Sequence, residues 1–75
     1  MQDQRLIFKL AISAEKYLSV YKGHANKIST IASDGRRIEF SADNVRQFLT
    51  HDGIYGEFEM HITAEQKFLS IRRLR

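Results

Sequence analysis

Cysteine and proline are both absent from this 75-residue chain, and it contains no run of about 18 apolar residues. The missing cysteine excludes disulfides and thiolate metal sites, the usual staples of very small domains. With no proline, no Gly/Ser linker and no internal repeat, nothing marks a domain boundary, so residues 1–75 read as a single domain. The lack of a long apolar run leaves no segment for a membrane span, and no membrane partner is expected. Met1 to Arg5 lead into alternating residues rather than a continuous apolar stretch, so no secretory signal is expected and the chain reads as cytoplasmic.

A chain of this size buries only about 60% of the surface that its unfolded form exposes, so the core is thin. Stability must come from packing, from good local structure or from a partner subunit. The apolar share of 43% beside 28% charge is that of an ordinary folded globule. Twelve Lys and Arg oppose nine Asp and Glu, and the resulting pI of 9.5 raises the question of a nucleic-acid or acidic partner. Setting aside Arg72, Arg73 and Arg75 leaves nine basic residues against nine acidic ones. The excess is therefore local to one end of the chain, which argues against a broad basic face.

Local chemistry orders the elements. From Arg5 to Ile12 the residues alternate, with Leu6, Phe8, Leu10 and Ile12 on one face and Arg5, Ile7, Lys9 and Ala11 on the other. Ser13 suits an N-cap, Glu15 the positive end of the helix dipole and Gly23 an αL closure. Ala14 to Lys22 thus reads as a short helix presenting Tyr17, Leu18 and Tyr21 to a sheet. Asn26 is the expected turn residue before a second strand, Ile28 to Ser33. Asp34-Gly35 is a strong hairpin signal. A two-residue turn there sets Ile31 opposite Ile38 and Ser29 opposite Phe40, placing Ile31, Ile38 and Phe40 in the core and Ile28 outside. A bulged turn shifts this register by one residue.

Ser41 is a second N-cap, followed by a helix from Ala42 to Leu49 with Ala42, Val45, Phe48 and Leu49 on one face. Thr50-His51-Asp52-Gly53 then turns into a strand, Tyr55 to Thr63, in which Phe58, Met60 and Ile62 alternate with Glu57, Glu59 and His61. A loop of about four residues, Ala64 to Lys67, leads into Phe68 to Leu74. Pairing Ile62 with Leu69 and Met60 with Ile71 sets Glu59 opposite Arg72. The fold class is α+β, with five short, mostly antiparallel strands and two short helices in the order β-α-β-β-α-β-β, both helices on one side. The alternative is a small OB-like or other partly open barrel.

No constellation makes a specific active site. His24, His51 and His61 lack ligand spacing and are better explained as turn and surface residues. Glu57 and Glu59 share a strand face, but Arg72 supplies an ordinary ion-pair explanation. There is no nucleophile elbow, Cys/His pair or phosphate loop. The chain is therefore read as a non-enzyme needing no cofactor or metal. The remaining candidates are binding residues. Arg36 and Arg37 beside the hairpin, Arg46 on the second helix, and Arg72, Arg73 and Arg75 could meet phosphates, with Tyr55 as one stacking platform. Ile7 and Ile28, both expected to face outward, are candidates for self-association.

The run DGRRIEFSADNVRQFLTHDGIYGEFEM followed by KFLSIRRL resembles a family of small proteobacterial proteins classed as a domain of unknown function. The likeness covers nearly the whole chain, including the opening strand, the tyrosine-bearing helix and Gly23. It implies a stand-alone cytoplasmic bacterial protein and transfers no activity, cofactor or site residue. The functional expectation is a non-enzymatic protein-interaction module, as a homodimer or with a protein partner. The alternative is single-stranded nucleic-acid binding through the arginines.

Overall fold

The computed structural model describes residues 3–24 and 26–75. Its elements are β1 (Gln4–Ser13), α1 (Ala14–Lys22), β2 (Lys27–Ile31), β3 (Arg37–Ser41), a 3-10 helix (Ala42–Phe48), β4 (Gly53–Ile62) and β5 (Phe68–Arg73). Strands β1, β4 and β5 form one antiparallel sheet in the order β1-β4-β5, and β2 and β3 form a second. The two sheets meet at a bridge between Phe8 and Ala32, where the Ser33 N–H donates to Ile7 O at 2.6 Å. The α+β reading and its element order hold; the sheets stay open and do not close into the barrel offered as the alternative.

The helix caps follow the local signals. Ser13 Oγ accepts from the Lys16 N–H at 3.1 Å, and Ser41 Oγ from the Asp43 N–H at 3.2 Å. The second helix is 3-10 rather than α. Its apolar residues Ala42, Val45 and Phe48 recur every third position, and in a 3-10 helix such residues eclipse one another over the core. Helix α1 does not end in αL: Gly23 is extended, with φ −71° and ψ 167°, and its N–H closes the last turn onto Val20 O at 3.0 Å. Asn26, at φ 57°, takes the left-handed conformation expected of it as a turn residue. Leu18 is exposed rather than turned to the sheet. Tyr17, Val20 and Tyr21 form the packing face at i, i+3 and i+4, which leaves Leu18 about a quarter turn away.

The hairpin corrects the expected register of β2. Thr30 pairs with Ile38 and Ile28 with Phe40. The Ala32 N–H donates to Arg36 O, and the Gly35 N–H to Ala32 O. This is a three-residue loop, a type I turn whose last residue, Gly35 at φ 91°, forms a bulge. One extra loop residue turns β2 over. Ile28 is buried in the core and Ile31 stands 57% exposed in its stead. The same hydrogen-bond pattern recurs in the β4–β5 loop, from the Thr63 N–H to Lys67 O and from the Gln66 N–H to Thr63 O. There a glutamine, Gln66, holds φ 68°. Met60 pairs with Ile71 and Glu59 with Arg72 as expected, but a bulge sets Ile62 opposite Phe68 rather than Leu69.

Four phenylalanines tie the elements together. Phe40 of β3 lies 5.4 Å from Phe8 of β1, Phe8 lies 6.0 Å from Phe58 of β4, and Phe58 lies 4.9 Å from Phe48 of the 3-10 helix, all between ring centroids. Buried Tyr17 fixes α1 to the 3-10 helix by donating its hydroxyl hydrogen bond to Ala42 O at 2.7 Å. Burial, followed by the negative charges that Tyr21 and Asp43 can carry, pushes the Tyr17 hydroxyl pKa up, with Arg46 opposing. Tyr17 is therefore held as a neutral donor.

Candidate functional site

Two surfaces collect the polar side chains, and they lie on opposite faces of the three-stranded sheet. On the core side, a cleft of about 350 Å³ opens between that sheet and the β2–β3 hairpin. Leu6, Met60 and Ile62 from the sheet and Ile38 from β3 form its apolar floor, with Gln4, Arg36, Arg37, Glu39 and Gln66 around it. Arg36 is pinned at its rim: its Nε donates to Asp34 Oδ2 at 2.7 Å and its Nη1 to Gln4 Oε1 at 2.6 Å. Arg37 Nε donates to Ser29 Oγ at 3.2 Å.

The outer face follows from strand alternation. Arg5, Ile7, Lys9 and Ala11 of β1 stand beside His61, Glu59, Glu57 and Tyr55 of β4, pair by pair. Glu59 is the unusual member: it sits on the solvent side of the central strand and is nevertheless buried. Its carboxylate is covered by Arg72 Nε at 2.9 Å, Arg5 Nε at 3.3 Å and His61 Nε2 at 3.3 Å. Burial raises the Glu59 pKa, but the hydrogen bonds from His61 and Arg72 and the charges of Arg72 and Arg5 outweigh it and hold the carboxyl below its ordinary value. Glu57 repeats the arrangement two residues earlier, with Arg75 Nε at 2.9 Å.

The sequence candidates therefore divide. Arg36 and Arg37 meet at the cleft, and Tyr55, Arg72 and Arg75 share the outer face. Arg46 is elsewhere, its guanidinium 5.3 Å from the Tyr21 ring centroid and its Nη1 donating to Tyr21 OH at 3.1 Å. Arg73 pairs with Phe58 and reaches over Gly56. The six arginines thus do not gather on one face. Ile7 lines a shallow groove with exposed Ile31, whereas Ile28 is a core residue beneath. Arg5, Lys9 and His61 of the outer face, and Gln4, Ile38 and Gln66 of the cleft, were not singled out as site residues from the sequence. The Arg5-x-x-x-Lys9 and Glu57-x-Glu59-x-His61 alternations were the available signal once β1 and β4 are paired.

Among the described residues no group of three or more His, Cys, Asp and Glu side chains is placed to hold a metal ion. No helix among them is long and apolar enough to cross a membrane. Residues 4–74 match the family described as "Protein of unknown function (DUF2835)". The chain belongs to this family. No curated protein and no solved structure matches it, so the chemistry of this DUF2835 chain has to be read from its own residues.

The Glu59 cluster gives this DUF2835 chain a defined acid response. Because the folded-state pKa lies below the unfolded one, unfolded protein takes up the proton first, and the stabilisation present above about pH 4.3 is lost as pH falls through the depressed folded value. Asp34 acts in the same direction, held low first by the Arg36 backbone N–H and then by the Arg36 side chain. Urea midpoints measured between pH 6 and pH 3 are expected to fall with acid in the native protein and to fall less steeply in Glu59→Gln, with the Asp34 share retained. Equal slopes would remove Glu59 from this role.

Proposed function

We propose that this chain is a non-enzymatic protein-interaction module that accepts an extended segment of a partner protein along the free edge of β3. One observation carries the reading: three consecutive β3 residues, Arg37, Ile38 and Glu39, line the cleft. Successive side chains of a strand point to opposite faces, so this is the contact of a strand edge and not of one face. On that side β3 has no strand neighbour among the described residues. A peptide added there would satisfy the open backbone groups while alternate apolar side chains enter over Leu6, Met60 and Ile62, the usual logic of strand addition.

A further feature supports it. Gln66 keeps a left-handed conformation at its margin, which is uncommon for a residue other than glycine. The loop's hydrogen bonds require that conformation there, as they do at Gly35, and a glutamine in place of glycine sets an amide side chain at the cleft.

Panning a random displayed-peptide library on the 75-residue protein tests the proposal. Peptides with apolar residues at alternate positions are expected, and Ile38→Arg should weaken them about tenfold or more, the equivalent of one lost apolar side chain. Enrichment that survives Ile38→Arg unchanged, or no enrichment, would reject the cleft. Sedimentation at several concentrations distinguishes the self-association reading. A dimer broken by Ile7→Lys or Ile31→Lys would place the contact on the outer groove instead.

A further inference from the structure

On the outer face of the three-stranded sheet, charge is arranged in two layers. The carboxylates form the lower layer, with side-chain exposures of 6% for Glu59 and 18% for Glu57. The guanidinium groups form the upper one, at 64% for Arg5, 69% for Arg72 and 83% for Arg75. Each arginine meets its glutamate through Nε. Bonding through Nε engages the side edge of the guanidinium and leaves its end-on edge, made by the two terminal nitrogens, directed away from the strand; among the described residues these nitrogens make no hydrogen bond or ion pair to another residue.

This differs from an ordinary surface ion pair, in which the partners neutralise each other at equal depth and contribute little. Here the acidic partner is submerged and acts as a clamp, and what meets the solvent is a set of oriented donors. Guanidinium forks match phosphate oxygens, which a lysine ammonium meets only as a point charge. The Glu59–Arg72 and Glu57–Arg75 pairs are two residues apart along β4, about 7 Å at the usual strand rise. That repeat suits successive phosphates of an extended strand. Lys9 faces Glu57 from β1, and Tyr55 continues the line, exposed on the same face beyond Glu57.

We infer that the outer face of the β1-β4-β5 sheet binds single-stranded nucleic acid, with Arg5, Arg72 and Arg75 on its phosphates, Tyr55 stacking a base, and Glu57 and Glu59 as positioning residues. The occupant is set by charge and arrangement: the two pairs run in line along β4, the face presents more cations than anions, and it offers an aromatic surface beside them. An enclosed small phosphate would need guanidinium groups less exposed than these. The site is separate from the β3 cleft, so the failure of either reading leaves the other standing.

Fluorescence anisotropy of a labelled oligothymidylate of about ten nucleotides tests this on the full chain. Three phosphate contacts predict that binding weakens roughly tenfold to twentyfold between 50 and 200 mM salt. Tyr55→Ala should weaken it at least about fivefold through lost stacking. The decisive variants are Glu59→Gln and Arg72→Lys. Net charge alone makes Glu59→Gln tighter and leaves Arg72→Lys unchanged; loss of the clamp makes both weaker, by about threefold to tenfold. Circular dichroism confirms that each variant is folded, and Arg72→Lys retains every charge should Glu59→Gln prove unstable. Binding that tightens in Glu59→Gln or is unchanged in Arg72→Lys overturns the inference. So does pyrophosphate competing as well as the oligonucleotide, or no salt-sensitive binding at all.

Discussion

Phe8→Ala is expected to lower the free energy of unfolding by about 3–5 kcal/mol, the usual loss for truncating a fully buried phenylalanine. The site supports the upper part of that range. Phe8 is buried between Phe40 and Phe58, and its backbone makes the bridge to Ala32 that joins the two sheets. Truncation leaves a void with rings on both sides, each fixed by its own strand, so the gap cannot close by a small shift. Globular domains are stable by roughly 0.05–0.15 kcal/mol per residue, about 4–11 kcal/mol for a chain of 75 residues, so a loss of this size removes a large share of the total. Equilibrium urea denaturation followed by far-ultraviolet circular dichroism measures it, with Ile31→Ala as a control expected within about 0.5 kcal/mol of native. A Phe8→Ala loss below about 1 kcal/mol would mean that the aromatic row is not the core.

Gly53→Ala should be nearly as damaging, for a different reason. Gly53 holds φ 132°, and a Cβ there would run into the Ile12 carbonyl oxygen while lying 2.8 Å from both Ala14 N and Ser13 C. All three atoms are backbone, so no side chain can swing away. The left-handed conformation itself costs a side chain about 1–3 kcal/mol, and the collision adds to it, for a total above about 3 kcal/mol. The strain would also spread, because Gly53 pairs with Ser13, the cap of α1, and the Ala14 N–H donates to Asp52 O. Gly35→Ala isolates the conformational part: Gly35 has φ 91° but nothing within 4 Å of its Cβ position. Equal urea midpoints for the two variants would refute the steric account.

These glycines mark how far local chemistry reaches. The caps at Ser13 and Ser41, the Asp-Gly turns and the alternation of β1 and β4 were legible because each depends on residues within a few positions of one another. The register of β2 was not, since Ser33-Asp34-Gly35 fits a two-residue and a three-residue loop equally well and only packing of Ile28 against Phe40 separates them. Leu18 and Val20 are equivalent by local chemistry as the third apolar position on α1, and only packing on the Tyr17, Val20 and Tyr21 face separates them. For the outer face, the Glu59–Arg72 pairing followed from the β4–β5 hairpin. The burial of Glu59 did not, because it requires Arg5 from a strand more than fifty positions away in the chain. Arg72, Arg75 and Tyr55 could therefore be named as candidates, whereas the arrangement that unites them came only with strand order.

The bulge between β4 and β5 bears on how the exposed edge of β5 can meet other chains. It leaves Phe68 and Leu69 adjacent and exposed on an edge strand, a combination that invites copies of a chain to stack without limit. The same irregularity breaks the straight row of backbone donors and acceptors that such stacking requires, and Arg72 and Arg73 place charge on the other half of the strand. The register shift, in which Leu69 is the extra residue of β5, thus works against edge-to-edge stacking, and deleting Leu69 is expected to lower solubility.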